Sequence, residues 1–158
     1  MEFKPGEIEG VITGSIKKYE DSRGWLMELF RMDQVHYTQM PVMAYVSETK
    51  PGIARGPHEH WDQTDYFCFL GPSEFKVYLW DNRENSKTYG HYMEITGGES
   101  KPIFLIVPPG VVHGYKNVGS VNGWVFNAAN RLYAGWNREE EVDEIRHEQD
   151  ENSPFFIK

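Results

Sequence analysis

The sequence predicts an all-β fold, a barrel or sandwich, on three observations. Short β-favouring runs alternate with turn clusters along almost the whole chain. Aromatic residues make up 15 % of it, with five Trp, nine Tyr and nine Phe, a composition suited to pleated surfaces and concave pockets. Only the stretch from Asn137 to Glu151 places apolar residues at helical spacing. With 158 residues the chain is expected to form one domain, 1–158, large enough to bury a core without disulfides.

The runs follow in order. Val11 to Tyr19 leads to the turn Asp21-Ser22-Arg23-Gly24, and Trp25 to Arg31 follows it. Val42 to Thr49 stops at Lys50-Pro51-Gly52, Thr64 to Leu70 at Gly71-Pro72-Ser73, and Phe75 to Trp80 at Asp81-Asn82-Arg83. His91 to Thr96 ends at Gly97-Gly98, Ile103 to Val107 at Pro108-Pro109-Gly110, and Val111 to Asn117 and Gly123 to Ala128 complete the set. Each stop is made of residues that supply a fixed or a positive φ, or a side chain able to bond its own backbone. From Asn137 to Glu151 the apolar Val142 and Ile145 stand among Glu139, Glu140, Glu141, Asp143 and Glu144. Two apolar positions bury little, so this is expected to be a short surface helix or irregular turn with a solvated acidic face.

A net charge of −8 argues against nucleic-acid or anionic-membrane partners, which need a broad basic surface, but admits an anionic small molecule met by a few arginines. Cys68 stands alone inside Tyr66-Phe67-Cys68-Phe69-Leu70 and reads as a buried structural thiol, in keeping with a reducing compartment. The N-terminal residues do not resemble a signal peptide, and no apolar run approaches the roughly 18 residues that span a bilayer. A soluble, cytoplasmic protein is expected.

Two segments carry chemistry: Arg55-Gly56-Pro57-His58-Glu59-His60 and Val107-Pro108-Pro109-Gly110-Val111-Val112-His113. On a strand His58 and His60 point to one face, and the Pro/Gly turn delivers His113 as a third imidazole. Three converging imidazoles serve either as a metal site or as an acid/base site. As a metal site, His58, His60 and His113 would be joined by Asp62 or Asp65 around a divalent ion. If the strand stays regular, Asp62 shares the histidine face and Asp65 points away unless a bulge re-aims it. A metal-bound His58 cannot also abstract a proton.

Pro108-x-Gly110-x2-His113-x3-Asn117, with His58-x-His60, Asp65 and Gly71, resembles the two motifs of the cupin superfamily, whose fold is a jelly-roll β-barrel. A wider set resembles the dTDP-4-dehydrorhamnose 3,5-epimerase family: Asp21-x-Arg23-Gly24 with Glu28, Arg55-Gly56-x-His58, Asp81-x-Arg83-x2-Ser86-x-Thr88-Tyr89-Gly90, and Ile106-Val107-Pro108-x-Gly110-x2-His113-Gly114-Tyr115. It runs from about residue 8 to residue 133. The resemblance implies proton removal and return beside the ketone of a nucleotide-linked 4-keto-sugar, without a cofactor. His58 falls at the base position and His113 at a pocket position able to steady an enolate oxygen. Arg55 and Arg23 fall where the family contacts its anionic ligand, and Glu28 where a neighbouring subunit lines the site, which implies a homodimer. Taken alone, Arg23 would be an ordinary turn arginine and Glu28 a salt-bridged strand residue.

The departures are specific. The family's acid is a late-strand tyrosine, and the corresponding position here is Phe126, which leaves Tyr133 or Tyr115 as substitutes. A C-terminal aspartate that pairs with the family's histidine has no evident counterpart, a pyrophosphate-binding lysine falls near Thr64, and His60 replaces Gln or a similar residue on the substrate-binding side. The expectation is a deoxysugar-nucleotide epimerase or isomerase, with single epimerisation, double epimerisation and ketone isomerisation all open. The rivals are a metal-dependent cupin enzyme using the three histidines and a non-catalytic sugar-nucleotide-binding cupin.

Overall fold

A computed structural model describes residues 2–158. In chain order the strands are β1 (Lys4–Pro5), β2 (Ile12–Ser15), β3 (Lys18–Asp21), β4 (Gly24–Met27), β5 (Met43–Thr49), β6 (Ala54–Glu59), β7 (Asp65–Gly71), β8 (Glu74–Asp81), β9 (His91–Gly98), β10 (Ile103–Val107), β11 (Val111–Asn117), β12 (Gly123–Ala129) and β13 (Ile145–Arg146). They form a sheet in the order β1-β9-β8-β11-β6-β13, a second in the order β2-β10-β7-β12-β5, and a separate ribbon, β3-β4. The two large sheets face each other in the cupin jelly-roll arrangement, as expected. No helix among the described residues is long and apolar enough to cross a membrane.

Alternation along the strands decides what lies between the sheets. Phe67 and Phe69 of β7, Phe75, Val77 and Leu79 of β8, Leu105 and Val107 of β10, Val111 and Tyr115 of β11 and Val125 of β12 form one buried cluster. The intervening Tyr66, Cys68, Ile106 and Ala128 face outward into a second cluster with Ile16. Cys68 is fully buried there, and burial pushes its thiol well above the ordinary value, as befits a packing residue.

Two local outcomes differ from the sequence expectation, and a third decides between the helix and the irregular turn left open for the C-terminal stretch. The run Val11 to Tyr19 divides at Ile16-Lys17, so that β2 joins the five-stranded sheet and β3 begins the ribbon. The stretch 54–59 is a strand although Gly56-Pro57 interrupts its pattern. Its register with β11 shifts between the pairs His113–His58 and Tyr115–Arg55, a bulge that absorbs the proline. Gly56 has φ +78°, and a Cβ there would lie 2.7 Å from the His113 carbonyl oxygen, so only glycine permits this approach of β6 to β11. Finally, no helix forms over 137–151. Ile145-Arg146 pairs as β13 with Glu59-His58, flanked by 3-10 turns at Trp136–Arg138 and His147–Gln149.

The segment after β8 is held by one carboxylate. Asp81, fully buried, accepts from Arg83 Nε (2.8 Å), Ser86 Oγ (2.6 Å) and Thr88 Oγ1 (2.6 Å). Burial alone would raise its pKa, but these donors outweigh it and bring it to about 2. Asp81→Ala, which strands the Arg83 guanidinium and two hydroxyls, is expected to lower unfolding free energy by about 3 kcal/mol in urea denaturation; an unchanged midpoint would remove this network from the fold's stability.

Candidate active site

The inward rows that build the core end in polar residues at one mouth of the barrel. On β7 the row Phe69, Phe67 continues to Asp65; on β11 the row Tyr115, His113 lies between them; on β12 Val125 is followed by Asn127. β6 adds His58, directly paired with His113, and His60 follows at the end of the strand. The ring centroids of His58 lie 4.5 Å from His113 and 5.4 Å from His60. Phe67, 5.5 Å from His113, closes the floor.

Asp65 is the centre of this group and is 1 % exposed. Its Oδ1 accepts from Gln63 Nε2 (3.0 Å) and Asn127 Nδ2 (2.9 Å), and its Oδ2 lies 3.1 Å from both His60 Nε2 and His113 Nε2. The same Asn127 nitrogen is 2.9 Å from the Tyr45 hydroxyl, which draws a tyrosine of β5 into the mouth. His113 Nδ1 donates to the Val111 carbonyl (2.9 Å), and His60 Nδ1 donates to the Asp143 carbonyl. Asp143 also accepts, through its carboxylate, from the backbone N–H groups of Trp61 (2.6 Å), Asp62 (2.9 Å) and Gln63 (2.8 Å). Beside it, Glu144 Oε1 stands 4.0 Å from His58 Nδ1 and Oε2 accepts from Arg146 Nε at 2.6 Å.

The electrostatics separate the three imidazoles. Burial, and then the neighbouring His113, hold His58 well below the ordinary imidazole value, so it is a neutral base. On His60 burial opposes charge, but the Asp65 carboxylate and the Asp143 carbonyl outweigh it and push the ring up to about 9. Asp65 itself is held well below the usual carboxylate range, because the contacts with His113 and His60 overcome its burial. Burial, reinforced by Asp65, pushes the Tyr45 phenol up to about 12, so it keeps its proton. The mouth therefore holds a proton acceptor and a proton donor, and four side chains able to bind a metal: His58, His60, Asp65 and His113 have ligand atoms within 4.8 Å of one another.

With this geometry in view, the comparisons are informative. The profile of the family described as dTDP-4-dehydrorhamnose 3,5-epimerase matches residues 5–143. The chain belongs to this family. It is 36 % identical over 115 residues (71 % of this chain, 73 % of the other) to the spore coat polysaccharide biosynthesis protein SpsL of Bacillus subtilis. It is 35 % identical over 128 residues (80 % of this chain, 81 % of the other) to the probable low-salt glycan biosynthesis epimerase Agl13 of Haloferax volcanii. In fold it is similar to a dTDP sugar isomerase from Desulfovibrio desulfuricans, with a TM-score of 0.82 at 24 % identity, covering 94 % of this chain and 91 % of that one. This epimerase-family chain is an enzyme of the sugar epimerase and isomerase class.

Set against the residues that the family resemblance singled out, the structure brings His58, His60 and His113 together. Arg55 lies on the adjoining strand segment, its guanidinium bound to Thr49 Oγ1 (2.9 Å) and the Glu48 carbonyl (2.7 Å) of β5. Arg23 and Glu28 are elsewhere in this chain. Arg23 sits at the exposed tip of the β3-β4 ribbon, paired with Asp21 at 2.5 Å. Glu28 pairs with Arg31 and lines a cavity with Tyr66, Phe104 and Ile106, on the outer side of the five-stranded sheet. Asp62 is not in the donor group, because the chain turns out of β6 after His60 and crosses to the opposite sheet, where Asp65 enters from β7 facing inward.

Near the positions marked as departures from the family, other side chains approach the histidine cluster. Phe126 faces the outer cluster on β12, and its neighbour Asn127 faces the site. Tyr115 lies deep, its hydroxyl 3.0 Å from Ser47 Oγ, and Tyr133 is exposed beside Met43, bonding that residue's sulfur through its backbone N–H. Tyr45, unmarked in the sequence, has its hydroxyl in the network; the inward alternation Tyr45, Ser47, Thr49 was its available signal. Glu144, on the C-terminal segment, places a carboxylate oxygen 4.0 Å from His58 Nδ1. An acidic stretch expected to be solvated thus turns two of its members inward. Asp143→Ala should expose the amides of Trp61, Asp62 and Gln63 to hydrogen exchange and cost about 1–2 kcal/mol; protection of these three amides at the wild-type level would show that the segment does not organise the loop.

Proposed function

We propose that the protein removes and returns a proton beside the ketone of a nucleotide-linked 4-keto-deoxysugar, with His58 as base and Tyr45 as donor. The observation that carries this reading is a half-buried His58 held neutral by desolvation and the neighbouring His113, with the Glu144 carboxylate at its Nδ1 side. A neutral imidazole accepts the α-proton without first losing one, and the carboxylate at its other nitrogen favours the imidazolium that results. Tyr45 retains its proton on the far side of Asp65 and Asn127, from which it can protonate the enolate on the opposite face. Its position supports inversion of a centre and needs neither Tyr133 nor Tyr115.

The substrate class follows from membership of a family named for a dTDP-sugar and from a relative named as a glycan biosynthesis epimerase. Arg55, at the position where the family contacts its anionic ligand, is the arginine of this chain proposed to meet the diphosphate. Arg23 and Glu28 would enter the site from a second copy, so the working unit is a homodimer. A single buried thiol accords with action in the reducing cytoplasm.

Incubation in deuterium oxide with a panel of dTDP-4-keto-6-deoxyhexoses tests this. Wild type should place deuterium next to the ketone, and His58→Asn should slow that exchange about a thousandfold. Tyr45→Phe should keep the exchange while slowing inversion about a hundredfold. Absence of exchange in wild type, or full exchange in H58N, would sink the assignment of the base.

A further inference from the structure

β12 lies between β5 and β7, and its pairing gathers side chains of both neighbours around a single amide. Asn127 is directly opposite Tyr45 of β5 on one side and Phe67 of β7 on the other. Opposed residues share a face, and so does the diagonal neighbour two positions away, here Asp65. The amide nitrogen accordingly stands 2.9 Å from Asp65 Oδ1 and 2.9 Å from the Tyr45 hydroxyl. Both of its hydrogens are thereby committed, one to each neighbour.

Asp65 fixes the orientation of this amide. An ionised carboxylate only accepts, so the atom facing it is the nitrogen, and turning the amide over would set two oxygens against each other. Asn127 is 1 % exposed, and its own Oδ1 is left buried without a partner. A buried acceptor left unpaired is destabilising, so this side chain is a poor choice for packing alone. For Tyr45 the consequence is directional. Its oxygen receives the Asn127 N–H on a lone pair, so the hydroxyl hydrogen points away from the amide, and among the described residues no acceptor takes it. Asn127 also stands between the phenol and the Asp65 carboxylate, the acceptor that would otherwise compete for that hydrogen. Burial of the phenol, then the Asp65 charge, with Tyr115 and Glu144 adding to it, favour the protonated form; the Asn127 bond acts in the other direction.

We propose that Asn127 is a positioning residue for proton return: it turns the Tyr45 O–H toward the bound sugar and holds the phenolate that donation leaves. This rests on the reading of Tyr45 as donor. In that step the Tyr45 O–H bond breaks and its electron pair stays on the phenol oxygen. The proton bonds to carbon through the enolate π pair, and the enolate oxygen becomes the ketone again. An N–H bound to a phenolate is charge-assisted and stronger than the same N–H bound to a phenol, so Asn127 contributes more once transfer has begun than before it. The His58 imidazolium and the phenolate then return to their starting forms by exchange with solvent, with no net gain of protons.

The test compares Asn127→Leu, Tyr45→Phe and the double variant on the dTDP-4-keto-6-deoxyhexoses in deuterium oxide. Asn127→Leu should slow inversion about tenfold or more, keep exchange within about threefold, and add nothing further in the Tyr45→Phe background. Equal slowing of exchange and inversion, the pattern of a disturbed Asp65, or a further loss of inversion in the double variant overturns the role. A second readout is the phenol itself, in protein carrying difluorotyrosine, whose ring ionises at a pH where the fold persists; the Tyr45 fluorine signal is the one missing from Tyr45→Phe. Its ionisation constant should fall about tenfold or more in Asn127→Leu. Asn127→Ser, with one hydrogen for two acceptors, should show the same fall and serves if the leucine variant does not fold. An unchanged fluorine midpoint with Tyr45→Phe still slow sinks the role of Asn127 alone, whereas wild-type inversion by Tyr45→Phe sinks the donor reading and the role of Asn127 with it.

Discussion

A carboxylate at the end of an apolar core is the constraint around which the working end of this barrel is arranged. An uncompensated buried carboxylate costs several kcal/mol, so Asp65 can occupy the inward position of β7 only if its neighbours supply donors or positive charge. Gln63 and Asn127 serve Oδ1, and two imidazoles face Oδ2. Each of these is then fixed by a further group. Asn127 holds the Tyr45 hydroxyl, and the Asp143 and Val111 carbonyls fix His60 and His113. The Tyr45 hydroxyl and two of the three imidazoles are thus positioned around a single buried charge, while the rows of Phe, Val and Leu behind it supply the floor.

The chain beyond β12 belongs to this arrangement although it contributes little to the core. β6 turns His58 inward and Glu59 to the other side, where Glu59 Oε1 accepts from Asn82 Nδ2 and His147 Nε2, each at 2.9 Å. His147 stacks edge-on against Phe155, which packs on Trp80. The C-terminal segment is therefore clamped at Asp143 by three amides and at His147 by Glu59, and Glu144 lies between the two clamps facing His58. A carboxylate held at both flanks has little freedom to leave the imidazole it faces, which is what a positioning group requires.

Much of this was legible in the sequence, and the misreadings share a cause. The β runs, the inward histidines and the turn at Pro108-Pro109-Gly110 follow from alternation and local turn chemistry, which act over a few residues. Asp62 follows from counting forward past His60 along a strand assumed to be regular. The chain leaves β6 at His60 and re-enters on the other sheet at Asp65, so the parity of the count is lost; on β12 Phe126, which the resemblance sets at the acid position, faces the outer cluster while Asn127 faces the site. A one-residue slip moves every side chain to the opposite face. Glu144 was illegible for another reason. Composition reports an acidic stretch but not which carboxylates turn inward, and that is set by pairing with β6, a contact distant in sequence.

What a single chain lacks is a grip for a diphosphate. The network at the mouth is rich in carboxylates, Arg146 is committed to Glu144, and Arg55 is bound to β5, so an incoming dianion would meet little unspent positive charge. Elsewhere the ribbon β3-β4 carries Arg23 at its tip and exposes Trp25 and Leu26 at 58 % and 60 %, while the outer face of β5 and β12 exposes Val46 and Trp124. Apolar surface of this kind is costly to leave in water. In the proposed homodimer, covering it and importing Arg23 and Glu28 into the neighbouring site are one event. Assembly would then complete the anion-binding half of the site while the proton-transfer half is finished within each chain, because His58, Tyr45 and Asp65 are fixed by contacts that do not leave the barrel.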